Sequence, residues 1–224
     1  MNGQVNMVFV KNPITLLPSY IAKIQYNNSR YIQGMQKKID KKVVGLHQQT
    51  DTLLYDFLEK NRLDNKKVAV FSDTPLWYEL IAKKYGGDVT VFLEKSETFT
   101  TQNDIFYDSL KNCEQYEEKF DIVLNMSFVE HLGLKENYSP NADLEFMEKV
   151  KKVLKKCGKM LLAVPIGKDV LYFENYRVYG EKRFPRLIEK WKVSEYIGFF
   201  DHCLLTSYNN ENVAKFQPLV ILEK

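Results

Sequence analysis

The sequence predicts an α/β fold with a Rossmann-like, doubly wound, mostly parallel sheet and a C-terminal antiparallel strand pair. Three observations carry the prediction. Short apolar runs at 67–72, 89–93, 121–126 and 159–164 alternate with stretches whose apolar residues recur at helical spacing, the pattern of a parallel sheet with crossover helices. The runs at 121–126 and 159–164 are apolar at nearly every position, as strands covered on both faces must be. Two further strand-like segments, 191–199 and 213–222, read as a closing antiparallel pair.

Residues 1–42 lack clear periodicity and are interrupted by Pro13, Pro18, Asn27, Asn28 and Gly34. They read as an N-terminal extension, partly helical over 21–24, ahead of a domain spanning 43–224. Val44, Leu46, Leu53, Leu54, Phe57 and Leu58 place a helix over 43–63. Thr74 and Pro75 suit the N-cap and first position of the next helix, which runs to Tyr85 and stops at Gly86 and Gly87. Residues 97–103 read as a weak third strand and 104–117 as a helix. Leu144, Met147, Val150, Val153 and Leu154 share one side of a helix over 142–155, and 181–189 is helical.

With 224 residues, 45% hydrophobic and 27% charged, the chain can bury a sizeable core. A net charge of +3 is too small for a nucleic-acid partner. The lysines at 149, 151, 152, 155, 156 and 159 read as the solvated face of a helix. The three cysteines form no C-x-x-C pair, which points to a reduced, cytoplasmic setting and no metal framework. The apolar patch at 7–10 is broken by Lys11, Asn12 and Pro13, too short for a signal core or a membrane span.

In an open α/β sheet, ligands bind outside the carboxyl ends of the strands. Glu130 and His131 follow the run at 121–126, and Lys168 and Asp169 follow the run at 159–164. His131 has the residue type of a general base at neutral pH; the bland alternative is a histidine that caps a helix or bonds a carbonyl. Lys168, Asp169, Asn175, Arg177 and Tyr179 cluster within a dozen residues. They read either as a substrate clamp, with Arg177 gripping an anion through two parallel bonds, or as a network that fixes the loop.

The motifs S-F-V-E-H-L-G-L, V-L-K-K-C-G-K-M-L-L-A-V-P-I-G-K-D and N-Y-R-V-Y-G resemble those of class I S-adenosylmethionine-dependent methyltransferases. More narrowly they are similar to a methyltransferase-like family of largely uncharacterised function. The resemblance covers about two-thirds of the chain, from residue 66 onward. It implies S-adenosylmethionine as cofactor, held by Ser72, Asp73, Thr74, Glu94, Asn125 and Ser127. Glu94 would take the ribose hydroxyls, or stand as a solvated loop acid. His131 and Glu130 are the implied catalytic pair. The turn after the first strand, Ser72-Asp73-Thr74-Pro75-Leu76, lacks the glycines usual there; the helix behind it is expected to offer free N–H groups to a carboxylate. Some relatives hold a metal through a glutamate at the position of Ser127, and serine argues against a metal here. The implied activity is O-methylation of a small anionic acceptor, such as a sugar or sugar nucleotide in surface-glycan tailoring. The alternative is a methyltransferase-like binding or scaffold protein without catalysis. Residues 1–40 are expected either to cover the acceptor pocket or to mediate a homodimer.

Overall fold

The computed structural model describes residues 6–9, 29–45, 47–72, 76–94, 99–100, 104–134, 138–207 and 216–224. The strands are β1 (Asn6–Phe9), β2 (Lys67–Phe71), β3 (Asp88–Leu93), β4 (Phe99–Thr100), β5 (Phe106–Ser109), β6 (Phe120–Met126), β7 (Leu154–Ala163), β8 (Val170–Phe173), β9 (Tyr176–Val178), β10 (Lys192–Ile197) and β11 (Leu219–Glu223). The helices are α1 (Ser29–Asp40), α2 (Gln48–Lys60), α3 (Tyr78–Lys84), α4 (Ala142–Val153) and α5 (Arg183–Ile188). None of the described helices is long and apolar enough to cross a membrane.

One eight-stranded sheet runs in the order β10-β11-β7-β6-β2-β3-β5-β4. Its five central strands are parallel; β11 is antiparallel to both β7 and β10, and β4 is antiparallel to β5. The chain leaves β2 toward β3 and β5, then returns to the other side of β2 for β6 and β7. That reversal puts the switch point, and hence the expected crevice, at the carboxyl ends of β2 and β6. Alternation along β2 explains the two layers. Val68 and Val70 face a core that includes Leu54, Tyr78 and Ile81 from α2 and α3. Ala69 and Phe71 face a second core that includes Phe146 and Val150 of α4 and Leu187 of α5. Phe71 stacks on Phe92 at 5.1 Å and meets Phe146 edge-on at 5.0 Å, geometries that aromatic rings prefer.

Four expectations change. The stretch 104–117 is a strand, β5, followed by a 3-10 turn at Leu110–Tyr116. Tyr107 is buried, Phe106–Ser109 pairs with Thr90–Leu93 of β3, and the Ser109 hydroxyl accepts from the Lys111 N–H to start the turn. Sheet pairing overrides the helical propensity of that stretch. The helix placed over 43–63 starts only at Gln48. The helix after β2 starts at Tyr78, with Trp77 in the N-cap position; Thr74 and Pro75, and the helical turn expected over 21–24, lie outside the described residues. The segment after β7, read as a loop, contains the hairpin of β8 and β9. β1 pairs parallel to β8, giving a separate three-stranded sheet β1-β8-β9. Helix α1 buries Ile32 and Ile39 in the first core, and Lys84 of α3 donates to the Ile39 carbonyl at 2.9 Å.

Candidate active site

Four neighbouring parallel strands deliver polar residues to the crevice. Ser72 follows β2 and is buried; Glu94 follows β3 and is exposed; Asp108 is near the end of β5; Asn125 is next to last in β6. Asp108 escaped the sequence reading because its segment was taken as a helix. It accepts from the Ser109 N–H, the Asn112 amide and the Tyr116 hydroxyl at 2.7, 2.8 and 2.6 Å. Both side-chain polar atoms of Asn125 are buried with no hydrogen-bond partner among the described residues. Asp73 and Thr74 lie outside the described residues.

Among the described residues, two N–H groups ahead of α3 are already used. Leu76 and Trp77 donate theirs to the Glu79 carboxylate at 2.6 and 3.2 Å, and the Tyr107 hydroxyl adds a bond at 3.1 Å. Burial raises the Glu79 carboxyl above its ordinary value. An anion arriving at Leu76 and Trp77 would meet a carboxylate rather than open donors.

At the end of β6 the chain turns sharply. Ser127 adopts a positive φ of 51°, and its N–H is held by the Ala163 carbonyl at 2.9 Å. This conformation lets the Ser127 hydroxyl donate to Glu130 Oε1 at 2.5 Å, while Gln217 donates to the same hydroxyl at 3.3 Å. Glu130 is completely buried. Desolvation pushes its carboxyl up to about 7, against opposing pulls from Ser127, its own backbone and the Arg177 charge. Its Oε2 has no hydrogen-bond partner among the described residues.

His131 stands beside it. Nδ1 lies 2.7 Å from the Asn175 carbonyl oxygen, and Nε2 lies 3.8 Å from Glu130 Oε1. A carbonyl oxygen only accepts, so Nδ1 carries the proton, and in the neutral ring Nε2 is the acceptor nitrogen. The Tyr176 ring meets the imidazole edge-on at 6.3 Å. Tyr78, from the other side of the crevice, is buried; burial first, then the charges of Asp51 and Glu130, hold its phenol well above the ordinary value.

The structure separates the second cluster. Arg177 is buried, and it donates to the carbonyls of Glu130 (3.2 Å), Leu132 (2.6 Å) and Ser139 (3.3 Å). Its Nε lies 3.7 Å from Asp143. The clamp reading is therefore corrected: Arg177 fixes the turn that carries Glu130 and His131, with three N–H bonds to backbone carbonyls there. Tyr179 is also buried, donating to Asp143 at 3.2 Å, where Arg183 pairs with the same carboxylate. Asp169 accepts the backbone N–H groups of Gly180, Lys182 and Arg183 at 2.8, 2.9 and 3.1 Å. Both residues belong to the network that fixes the loop rather than to an open substrate surface. Asn175 contributes through its carbonyl, and Lys168 is exposed. Sequence motifs located this cluster but could not separate binding groups from bracing ones, because burial distinguishes them.

Solved structures share this architecture at low identity. An S-adenosylmethionine-dependent methyltransferase of Methanosarcina mazei is 11% identical, with a TM-score of 0.54 over 76% of this chain and 97% of that one. A 1,6-didemethyltoxoflavin N1-methyltransferase of Burkholderia thailandensis, solved with 1,6-didemethyltoxoflavin and S-adenosylhomocysteine bound, is 13% identical. Its TM-score is 0.51 over 97% of this chain and 94% of that one. These likenesses show the class I methyltransferase fold. None of the curated proteins matches the sequence. Residues 65–213, more than half of the chain, match the profile of a family described as Caenorhabditis protein of unknown function, DUF268, and the chain belongs to that family.

Proposed function

We propose that this protein is an S-adenosylmethionine-dependent methyltransferase that methylates a hydroxyl group of a small acceptor. The observation that carries the reading is His131. Its tautomer is set by the Asn175 carbonyl, so Nε2 is the acceptor nitrogen at the switch-point crevice of a methyltransferase-like sheet. The residues at the crevice fit the cofactor. Glu94 is exposed at the end of β3, where a carboxylate accepts ribose hydroxyls. The Asn125 amide and Glu130 Oε2, buried and without a hydrogen-bond partner among the described residues, are polar atoms of the kind a bound polar ligand satisfies. Ser72, Glu94, Asn125 and Ser127 would hold it, with Asp73 and Thr74 completing the set.

When bound, the cofactor supplies an electrophilic methyl group. The chain's own work is alignment and proton removal. His131 Nε2 takes the acceptor's hydroxyl proton, while Arg177 and Ser127 hold the Glu130–His131 turn in place. Lys168, exposed beside the same face, suits a negative charge on the acceptor, as on a sugar or sugar nucleotide. The family resemblance supports glycan tailoring as the setting. The rival reading, a binding protein without catalysis, draws on Glu79, which occupies the N–H groups ahead of α3.

Calorimetric titration with S-adenosylmethionine and S-adenosylhomocysteine tests the reading. Binding of either at submillimolar concentration is expected, and no binding at millimolar concentration refutes it. His131→Ala should lower turnover roughly 100- to 10,000-fold with cofactor affinity little changed; binding without turnover on any hydroxylic acceptor would favour the rival.

A further inference from the structure

We propose that Glu130 is the counter-ion of the cofactor's sulfonium and the final resting place of the proton released by methyl transfer. This rests on the methyltransferase reading above. Three geometric facts carry it. Glu130 has no exposed surface. One carboxylate oxygen has no hydrogen-bond partner among the described residues. The other is 3.8 Å from the base nitrogen of His131.

A buried carboxylate without a close cation is costly, and it is retained where something positive arrives to pair with it. The groups facing Glu130 do not supply that pairing. Ser127 gives one neutral bond at 2.5 Å. The Arg177 guanidinium, from β9, aims its N–H groups at backbone carbonyls and lies beside Asp143 of α4. Tyr78 of α3, with Asp51 of α2 behind it, and Tyr179 contribute negative or neutral groups. Among the described side chains in contact with Glu130, His131 is the one that can become a cation by taking up a proton. A cationic ligand centre next to the base is what the arrangement lacks.

The step then balances. A carbon–sulfur bond breaks and a carbon–oxygen bond forms, and the sulfonium becomes a neutral thioether. The acceptor's hydroxyl proton passes to His131 Nε2 and on to Glu130 Oε1, 3.8 Å away. Before transfer the buried site holds one positive and one negative charge; afterwards it holds a thioether and a carboxylic acid. It is neutral at both ends, so no net charge is left in a low-dielectric site. The elevated affinity of Glu130 for a proton, midway at about 7, suits a group that must be ionised beside a cation and protonated without one.

Titration calorimetry at pH 7, run in Tris and in phosphate, counts protons released on binding. S-adenosylmethionine should release about half a proton more than S-adenosylhomocysteine, since a carboxyl with a midpoint near 7 is half protonated there. Glu130→Gln should erase that difference and cut the preference for S-adenosylmethionine about tenfold. Equal proton release by the two ligands from the wild-type protein overturns the proposal, as does an unchanged preference in folded Glu130→Gln. If that variant does not fold, the wild-type proton count decides alone. Failure of both ligands to bind the wild-type protein instead sinks the methyltransferase reading itself.

Discussion

Replacing Glu130 by glutamine should make the protein more stable at alkaline pH and leave it little changed in acid. The folded carboxyl has its midpoint at about 7, against an ordinary 4.5, because burial disfavours the charge. The native state therefore holds this proton more tightly than the unfolded chain does. Stability from the group is fully present below about 4.5, falls as pH rises toward 7, and stays low above it. The interval between the two midpoints corresponds to roughly 3 kcal/mol, from 1.36 kcal/mol per pH unit. Glutamine carries no charge at any pH, and its amide oxygen can keep the bond from Ser127. The stability gap between variant and wild type should thus widen by roughly 3 kcal/mol between pH 4.5 and pH 8. For a chain of this size that is a relative shift of about 6–12 °C in Tm. Thermal unfolding of both proteins at pH 4.5, 6, 7 and 8, followed by near-ultraviolet circular dichroism, measures it. Tm curves that run parallel across that range would refute the claim that Glu130 is desolvated and unpaired.

Two other outcomes follow from the same turn. Arg177→Lys keeps the charge, but an ammonium cannot span the carbonyls of Glu130, Leu132 and Ser139; a loss of about 2–4 kcal/mol in urea unfolding is expected, and a loss under 0.5 kcal/mol would show the bonds to be incidental. Gly133→Ala should cost roughly 1–3 kcal/mol in the same assay. The glycine has φ +69°, and an added Cβ would lie 2.5 Å from the Ser139 oxygen and from the Ala142 Cβ.

Period and punctuation made the sheet legible. Residues 121–126 and 159–164 are strands because both their faces are covered, and the sequence shows this as apolar character at nearly every position. The final antiparallel pair, read at 191–199 and 213–222, was also visible, though its strands are shorter, Lys192–Ile197 and Leu219–Glu223. Residues 106–109 were not, because F-Y-D-S alternates too briefly to outweigh the helical look of the stretch that follows. The positions of Glu130, His131, Glu94 and Asn125 at or just beyond the carboxyl ends of parallel strands were legible as well. The roles of Arg177, Asp169 and Tyr179 were not, since a guanidinium that braces carbonyls and one that clamps a ligand have the same letter. Only burial and hydrogen-bond direction tell them apart.

The three-stranded sheet has a consequence for how the molecule is made. Asn6 pairs with Val170 and Phe9 with Phe173, so β1 and β8 lie about 160 residues apart in the chain. At ordinary ribosomal rates β1 emerges roughly 10–30 s before its partner exists. Contacts of such separation form late, because the intervening chain must be ordered first. Until then the outer edge of β8 offers unpaired N–H and C=O groups, the kind of edge that recruits foreign strands. The hairpin whose Asn175 carbonyl sets the His131 tautomer is therefore finished by a segment made long before it, and misfolding at that edge would strike the base before it strikes the core.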